Sequence, residues 1–415
     1  MKQPTEGNPS TTRRELLRGA LGGLGLQVTS GLGLPLLFSQ AALANTANAR
    51  DPNRILVIFE LSGGNDGLNT VVPYGDDAYY RLRPHIGIKP NKVRKLDQRF
   101  GLSPGMVGFE RLYKEGRLAI VHGCGYDNPS FSHFTSMAYW HTAAPNSGEE
   151  YGWVGRLADA IDPDLTPNYV VNVDTTQSLA VQSRLHTPVV FDDPDRFARN
   201  TLYDEKGMLE KVAEVDPGMS ASRRYLLDVA RSAQDASALV RKAWANYRSP
   251  IDYGLVPLNL PKVAALIEAG MPARLYYVAY RNNAFDTHVQ QADLHQRLLT
   301  YTSDAVYGFM RDMERIGRAD DVTMLIFSEF GRRVPENTSL GTDHGAANTM
   351  FLVGKPVKGG HYGDIPSLDK LDAGDNLVYT TDFRRVYATV MQGWFGFSNT
   401  RAVLRGEFEA FPAYA

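Results

Sequence analysis

This chain of 415 residues predicts an α/β fold, a mostly parallel central sheet with helices on both faces. Two observations carry that expectation. Short β-branched and aliphatic runs alternate with longer segments of helical spacing. The clusters of acids, histidines and serines fall at the carboxyl ends of those runs, where reactive groups collect in such sheets.

Arg54–Leu61 (RILVIFEL) opens the set as a buried strand and Arg117–His122 (RLAIVH) is the second. Tyr169–Val173 and Pro188–Phe191 are shorter ones. Pro194–Tyr247 is charged, Ala/Leu-rich and poor in breakers, which predicts two or three helices within a helical insertion around 194–270. Arg274–Tyr280, Val322–Phe327 and Thr349–Val353 complete the strands, with a helix over Gln290–Ile316 before the second of these three. One α/β domain over 50–415 is the expected organisation.

Residues 1–49 read as an export segment. Arg13 and Arg14 precede a mildly apolar, Gly-rich stretch, and Ala42-Leu43-Ala44 and Ala47-Asn48-Ala49 offer cleavage sites. Paired arginines before a modest apolar region predict the twin-arginine translocase as export partner and a periplasmic or secreted protein. Nothing after Phe38 is long and apolar enough to span a bilayer, so no stable membrane span is expected after cleavage. A net charge of −2 and the lack of a basic tract argue against nucleic acid. Cys124 is the only cysteine, which rules out an intramolecular disulfide and a multi-cysteine metal site. A metal must then be held by oxygen and imidazole nitrogen.

Four places carry candidate chemistry. In Leu61–Asn69 (LSGGNDGLN), Asp66 is either a ligand or a helix cap. In Asn128–Thr142 (NPSFSHFTSMAYWHT), Ser130, Ser132 and His133 sit around a helix N-terminus that favours an anion. A hydroxyl there attacks phosphorus or sulfur if a metal lowers its pKa, and the bland alternative is a serine N-cap. Asp286 and His288 follow a strand, and His295 lies about two helical turns further on, as a supporting or a surface residue. Glu329 ends the Val322–Phe327 strand, and Arg332, Arg333, Asp343 and His344 follow it. Arg332 and Arg333 suit an anionic group, and the bland alternative pairs Glu329 with Arg332. Mixed Asp/Glu/His sets suit zinc or manganese, with calcium or magnesium favoured as histidines drop out.

Taken in order, LSGGNDGLNTVVP, NPSFSHFTSMAYWHT, FDTH, SEFGRR and GTDHG resemble the exported family DUF1501, placed in the alkaline phosphatase-like superfamily with sulfatases. The resemblance implies one large α/β domain, a centre of one or two divalent ions, and a Ser, Thr or formylglycine nucleophile. It implies metal ligands at Asp66, Asp286, His288, Glu329 and His344, with Asp343 as an extra one. Phe330 stands where the superfamily has a ligand histidine. Spacing back from Trp140-His141-Thr142 assigns the nucleophile to Ser132 or His133, and Ser132 is chosen. Formylglycine is disfavoured, since no C/S-x-P-x-R segment occurs there. The expected activity is hydrolysis of anionic esters, phosphate before sulfate, on a small ester or a sulfated or phosphorylated glycan, with Arg332 on the non-bridging oxygens. The alternative is a catalytically silent exported member that binds a glycan or a protein.

Overall fold

The computed structural model describes residues 53–197, 220 and 235–414. The expected export segment and much of the expected helical insertion lie outside the described residues. The described part of that insertion has a helix over 235–246, a segment without helix or strand, and a helix at Leu260–Glu268.

Among the described residues, nine strands form one sheet. In chain order they are β1 (Ile55–Leu61), β2 (Leu118–Gly125), β3 (Val170–Val173), β4 (Val189–Phe191), β5 (Leu275–Tyr280), β6 (Val322–Phe327), β7 (Asn348–Val353), β8 (Gly360–Tyr362) and β9 (Thr381–Asp382). The spatial order is β8-β2-β7-β6-β1-β5-β3-β4, with β9 paired to the end of β2. Every pairing is parallel except the two made by β7. The seven strands expected from the sequence are all present. The reversed sense of β7 has a local cause: no helix separates it from β6, and a parallel return needs a crossover.

Both faces of the sheet are buried because alternate residues of each run serve different cores. Val57 and Phe59 of β1 join Met324 and Ile326 of β6 on one face. Leu56 and Ile58 join Leu325 and Phe327 on the other. This is why the runs read as continuous hydrophobic stretches. The Gln291–Arg315 helix packs on the first face with the Val107–Lys114 and Leu260–Glu268 helices. The Trp153–Ile161 and Arg384–Thr389 helices supply the second. No helix among the described residues is long and apolar enough to cross a membrane.

Register then delivers the chemistry. Leu61 lies beside Tyr280 and Glu60 beside Phe327, so β1, β5 and β6 end together at one edge. The segments 62–66, 281–288 and 328–345 leave from that edge, and 126–133 leaves the end of β2.

Candidate metal centre

The turn after β1 is built from glycine for steric reasons. Gly63 and Gly64 have φ of +117° and +72°. A Cβ on Gly64 would fall 2.1 Å from the Phe330 ring, and one on Gly63 would fall 2.6 Å from the Asp286 backbone nitrogen. Glu329 and Arg332 hold this turn from its two polar sides. The buried Glu329 carboxylate accepts from Gly63 N at 2.9 Å and Gly64 N at 3.0 Å. Arg332 donates to Gly64 O at 2.6 Å and Gly63 O at 2.5 Å, and also to Phe285 O and Thr342 O.

Around that turn three imidazoles converge on one carboxylate. His133 opens the His133–Thr142 helix, and its Nδ1 donates to Glu329 Oε1 at 2.8 Å. His344 Nδ1 donates to Phe131 O at 2.8 Å. His288 Nδ1 donates to Asp343 Oδ1 at 3.3 Å. Each Nδ1 proton is thus committed to an oxygen, so each Nε2 presents a lone pair. Those Nε2 atoms face Asp286: His288 at 2.9 Å and His344 at 3.0 Å from Oδ1, His133 at 3.4 Å from Oδ2. The Nε2 atoms of His288 and His344 are themselves 3.0 Å apart. His133 Nε2 is buried without a hydrogen-bond partner.

Lone pairs directed at a carboxylate repel unless a proton or a cation lies between them. His133, Asp286 and His344 offer ligand atoms within 4.8 Å of one another. The arrangement also carries the outer support typical of metal-binding histidines, a carboxylate or carbonyl behind each ring. The donor set therefore fits a divalent ion, with His288 at the rim.

Burial pushes the Asp286 carboxyl up, but hydrogen bonds from Arg332 and His344 and the charges of Arg332 and His288 outweigh it, giving a pKa of about 2. The Glu329 hydrogen bond raises the His133 pKa against the pull of burial, aided by the charges of Glu329 and Asp286. Burial lowers that of His344, against its bonds to Asp286 and Phe131. Phe330 is fully buried, with its ring centroid 4.5 Å from that of His344 and 4.9 Å from that of His133. Phe330 thus packs against the imidazoles.

Several expected roles change. Asp66 caps the short Gly67–Thr70 helix, accepting from Leu68 N and Asn69 N, and also takes Arg83 at 2.6 Å and Gln291 at 2.5 Å. Burial pushes its carboxyl up, but Arg83, His295 and Gln291 hold it below its ordinary value. With both oxygens saturated, Asp66 lies outside the ligand group, and the cap alternative describes it. Glu329 and Asp343 stand behind His133 and His288 instead of facing Asp286 with a free oxygen. Arg332 pairs with Asp286 at 2.7 Å rather than with Glu329, and its other donors go to backbone carbonyls and, from Nη1, toward His288 Nε2 at 3.4 Å. It is therefore not free to hold a substrate. His133, expected among the catalytic residues as the alternative to Ser132, groups instead with Asp286 and His344 as a set that could hold a metal ion. His295 is buried on Asn65 Oδ1 at 2.9 Å, and burial pushes it down to about 4.

Ser132 is exposed, occupies the N-cap position without a capping hydrogen bond, and directly precedes His133. Ser130 Oγ accepts from Ser132 N at 3.3 Å. Sequence reasoning missed Arg83, Gln291 and Asn337, which donates to Asp343 Oδ1 at 3.1 Å. It also missed the Phe131 carbonyl. Backbone groups leave no sequence signal, Arg83 follows the Asp77–Leu82 helix, and Gln291 opens the Gln291–Arg315 helix, both among ordinary polar residues.

A mostly parallel α/β sheet with an imidazole–carboxylate cluster beyond its carboxyl edge defines the class of protein. The chain belongs to the family described as "Protein of unknown function (DUF1501)", whose profile matches residues 53–401. No curated protein matches the sequence at a significant level. Among solved structures it is similar to a protein of the alkaline phosphatase superfamily from Vibrio parahaemolyticus, at 10% identity and TM-score 0.40, over 88% of this chain and 78% of that one. It is also similar to the lipoteichoic acid synthase LtaP from Listeria monocytogenes, at 10% identity and TM-score 0.37, over 78% and 72%. A third is the C-terminal periplasmic domain of EptC from Escherichia coli, in complex with zinc, at 11% identity and TM-score 0.34, over 73% of each chain.

Proposed function

We propose that the protein is an exported metal-dependent hydrolase of anionic esters, phosphate esters before sulfate esters. The observation that carries the reading is the set of three imidazoles, each anchored through Nδ1 and each turning Nε2 toward Asp286. His133, Asp286 and His344 hold the ion, and His288 completes or exchanges into the set. Three imidazole nitrogens and a carboxylate oxygen suit zinc or manganese. Such an ion supplies Lewis acidity toward an ester oxygen and lowers the pKa of a nearby hydroxyl. Ser132 supplies the attacking oxygen, Glu329 fixes the His133 ring, and Asp343 fixes the His288 ring. Arg332 holds Asp286 and the glycine turn in place. The substrate is a small anionic ester or a phosphorylated or sulfated glycan, met outside the cytoplasm after twin-arginine export.

The test begins with elemental analysis of protein purified without chelator. The expected result is about one zinc or manganese per chain, reduced at least about tenfold in His344→Ala. Aryl phosphates, phosphodiesters and aryl sulfates are then offered to the loaded protein, with Ser132→Ala as the control. Metal at background level, unchanged in His344→Ala, would overturn the reading. Full activity in Ser132→Ala would remove Ser132 as nucleophile and leave Ser130 or water. A second reading, a catalytically silent binding module, draws on the saturation of Arg332, the arginine paired with Asp286. Bound metal with no turnover of any ester would favour it.

A further inference from the structure

Exposed phenylalanine is confined to one spot on this molecule. Phe131 is 40% exposed and Phe134 91%, and no other phenylalanine among the described residues is exposed. The two flank Ser132-His133. Phe131 precedes the exposed Ser132 and lends its carbonyl to His344 Nδ1 at 2.8 Å. Phe134 follows His133 in the first turn of the His133–Thr142 helix. On the other side of the cluster Val289, 61% exposed, follows His288. The His133 and His288 rings lie 4.6 and 4.7 Å from that of His344. Three apolar side chains thus branch from the chain beside one small polar centre.

Single apolar side chains scattered over a surface need no explanation, whereas several gathered at a candidate site do. Packing within the chain does not supply one for Phe134. The buried residues of its helix are Ser136, Trp140, His141 and Thr142, and Phe134 stands almost wholly in water. Covering it would be favourable in proportion to the apolar area removed from water.

The centre of the rim selects the occupant. An ion held by His133, Asp286 and His344 takes an anionic oxygen from outside, while the side chains around it take hydrocarbon. A second protein surface would have to bury the open side of that ion, which is costly without a matching charge. A molecule with an anionic ester head and acyl chains meets both demands together. No helix among the described residues is long and apolar enough to cross a membrane, so such contact is made by side chains at the lipid interface.

We propose that Phe131, Phe134 and Val289 seat the centre on a lipid bilayer, and that the centre receives the anionic ester head group of a lipid. The head-group half rests on the hydrolase reading above, whereas the docking half stands on the exposed side chains.

Cosedimentation of the full, metal-loaded chain with vesicles of phosphatidylcholine, alone or with phosphatidate at about 20 mol%, tests both halves. The formal net charge of −2 gives the chain no general attraction to an anionic surface, so a preference for phosphatidate reports the centre. Binding to the phosphatidate vesicles is expected to be at least about tenfold tighter than to phosphatidylcholine alone. Phe134→Ser should weaken it at least about fivefold, and adding Val289→Ser about twentyfold in total. Metal content per chain should match the parent's in both variants, which separates lost docking from a damaged centre. Metal-loaded protein that binds neither vesicle would overturn the proposal and leave the hydrolase reading standing. Binding unchanged in Phe134→Ser would overturn the docking, and equal binding to the two vesicles would overturn the head-group assignment. Light scattering covers the remaining occupant: a dimer that becomes a monomer in Phe134→Ser would assign the rim to a second copy and overturn the proposal. Phosphatidate-selective binding by protein that holds no metal and turns over no ester would uphold the docking and overturn the hydrolase reading.

Discussion

Asp66 and Asp286 are two aspartates at the ends of neighbouring strands, and the protein uses them in opposite ways. Asp66 is fully buried and each of its oxygens is taken by protein donors, among them the Arg83 guanidinium. Asp286 is partly exposed, shares Oδ1 among Arg332, His288 and His344, and turns Oδ2 toward an imidazole nitrogen that has no partner. The difference shows that residue type and strand-end position nominate a ligand, whereas the count of competing donors decides whether it is available. One aspartate closes the scaffold, and the other keeps coordination capacity open.

The largest effect should come from breaking the closed site. Arg83→Met leaves the Asp66 carboxylate buried without its cation, and losing one partner of a buried pair costs about 3–5 kcal/mol. Urea unfolding of the variant checks this, together with metal content per folded chain, which should not change. A loss below about 1 kcal/mol would mean that Asp66 is rehydrated and less enclosed than its contacts indicate.

Breaking the open site should give the reverse signature. Asp286→Asn removes the charge on which three imidazoles converge, so metal affinity should fall by more than about 100-fold, beyond the usual effect of an orienting partner. Its unfolding free energy should drop by less than that of Arg83→Met, since the carboxylate is not enclosed. Competition with a chromophoric chelator measures the affinity. Equal metal affinity in Asp286→Asn and the parent would move the centre elsewhere.

Between these extremes lie the carboxylates behind the rings. Glu329→Gln keeps the shape of a group that accepts from Gly63 N and Gly64 N, but weakens the hold on His133 Nδ1. Metal affinity should fall about 10–100-fold. Asp343→Asn, whose contact to His288 is longer and more exposed, should lie at the low end of that range. Equal losses in the two variants would show that His288 binds as firmly as His133.

Much of this division was legible in the sequence, and the failures have a common cause. Apolar runs predicted the strands, and strand ends predicted where acids and histidines would gather. Asp286, His288 and His344 do gather, because each follows a strand that ends at the same edge. Asp66 carries a cap alternative, Glu329 a ligand expectation and Asp343 that of an extra ligand, yet their roles depend on partners that only the fold brings to them. Arg83 reaches Asp66 from the end of the Asp77–Leu82 helix, Gly63 and Gly64 reach Glu329 through backbone N–H groups, and Asn337 and His288 meet at Asp343. Neither a backbone donor nor a distant arginine has a local signature. The sense of β7 was hidden for a related reason, since a strand's direction depends on its connection and not on its own residues.

The comparison extends to imidazoles, where the smallest effect is expected. His186 is the closed counterpart of His133: Nδ1 lies 2.9 Å from Asp159 Oδ1 and Nε2 lies 3.0 Å from Asp162 Oδ2, so neither nitrogen is free. Two donated bonds require the imidazolium. Burial pulls its pKa down, but the hydrogen bonds and charges of Asp159 and Asp162 outweigh this and raise it above the ordinary imidazole value. A raised folded-state pKa gives a stability contribution that is complete below the unfolded value of about 6.5 and is lost as pH rises through the folded value. The stability difference between the parent and His186→Gln should therefore be largest in mildly acidic buffer and shrink as pH rises. Chemical unfolding of both proteins across that window measures it. A difference that grows with pH would mean that His186 is neutral in the fold, with one of its two aspartates protonated in its place.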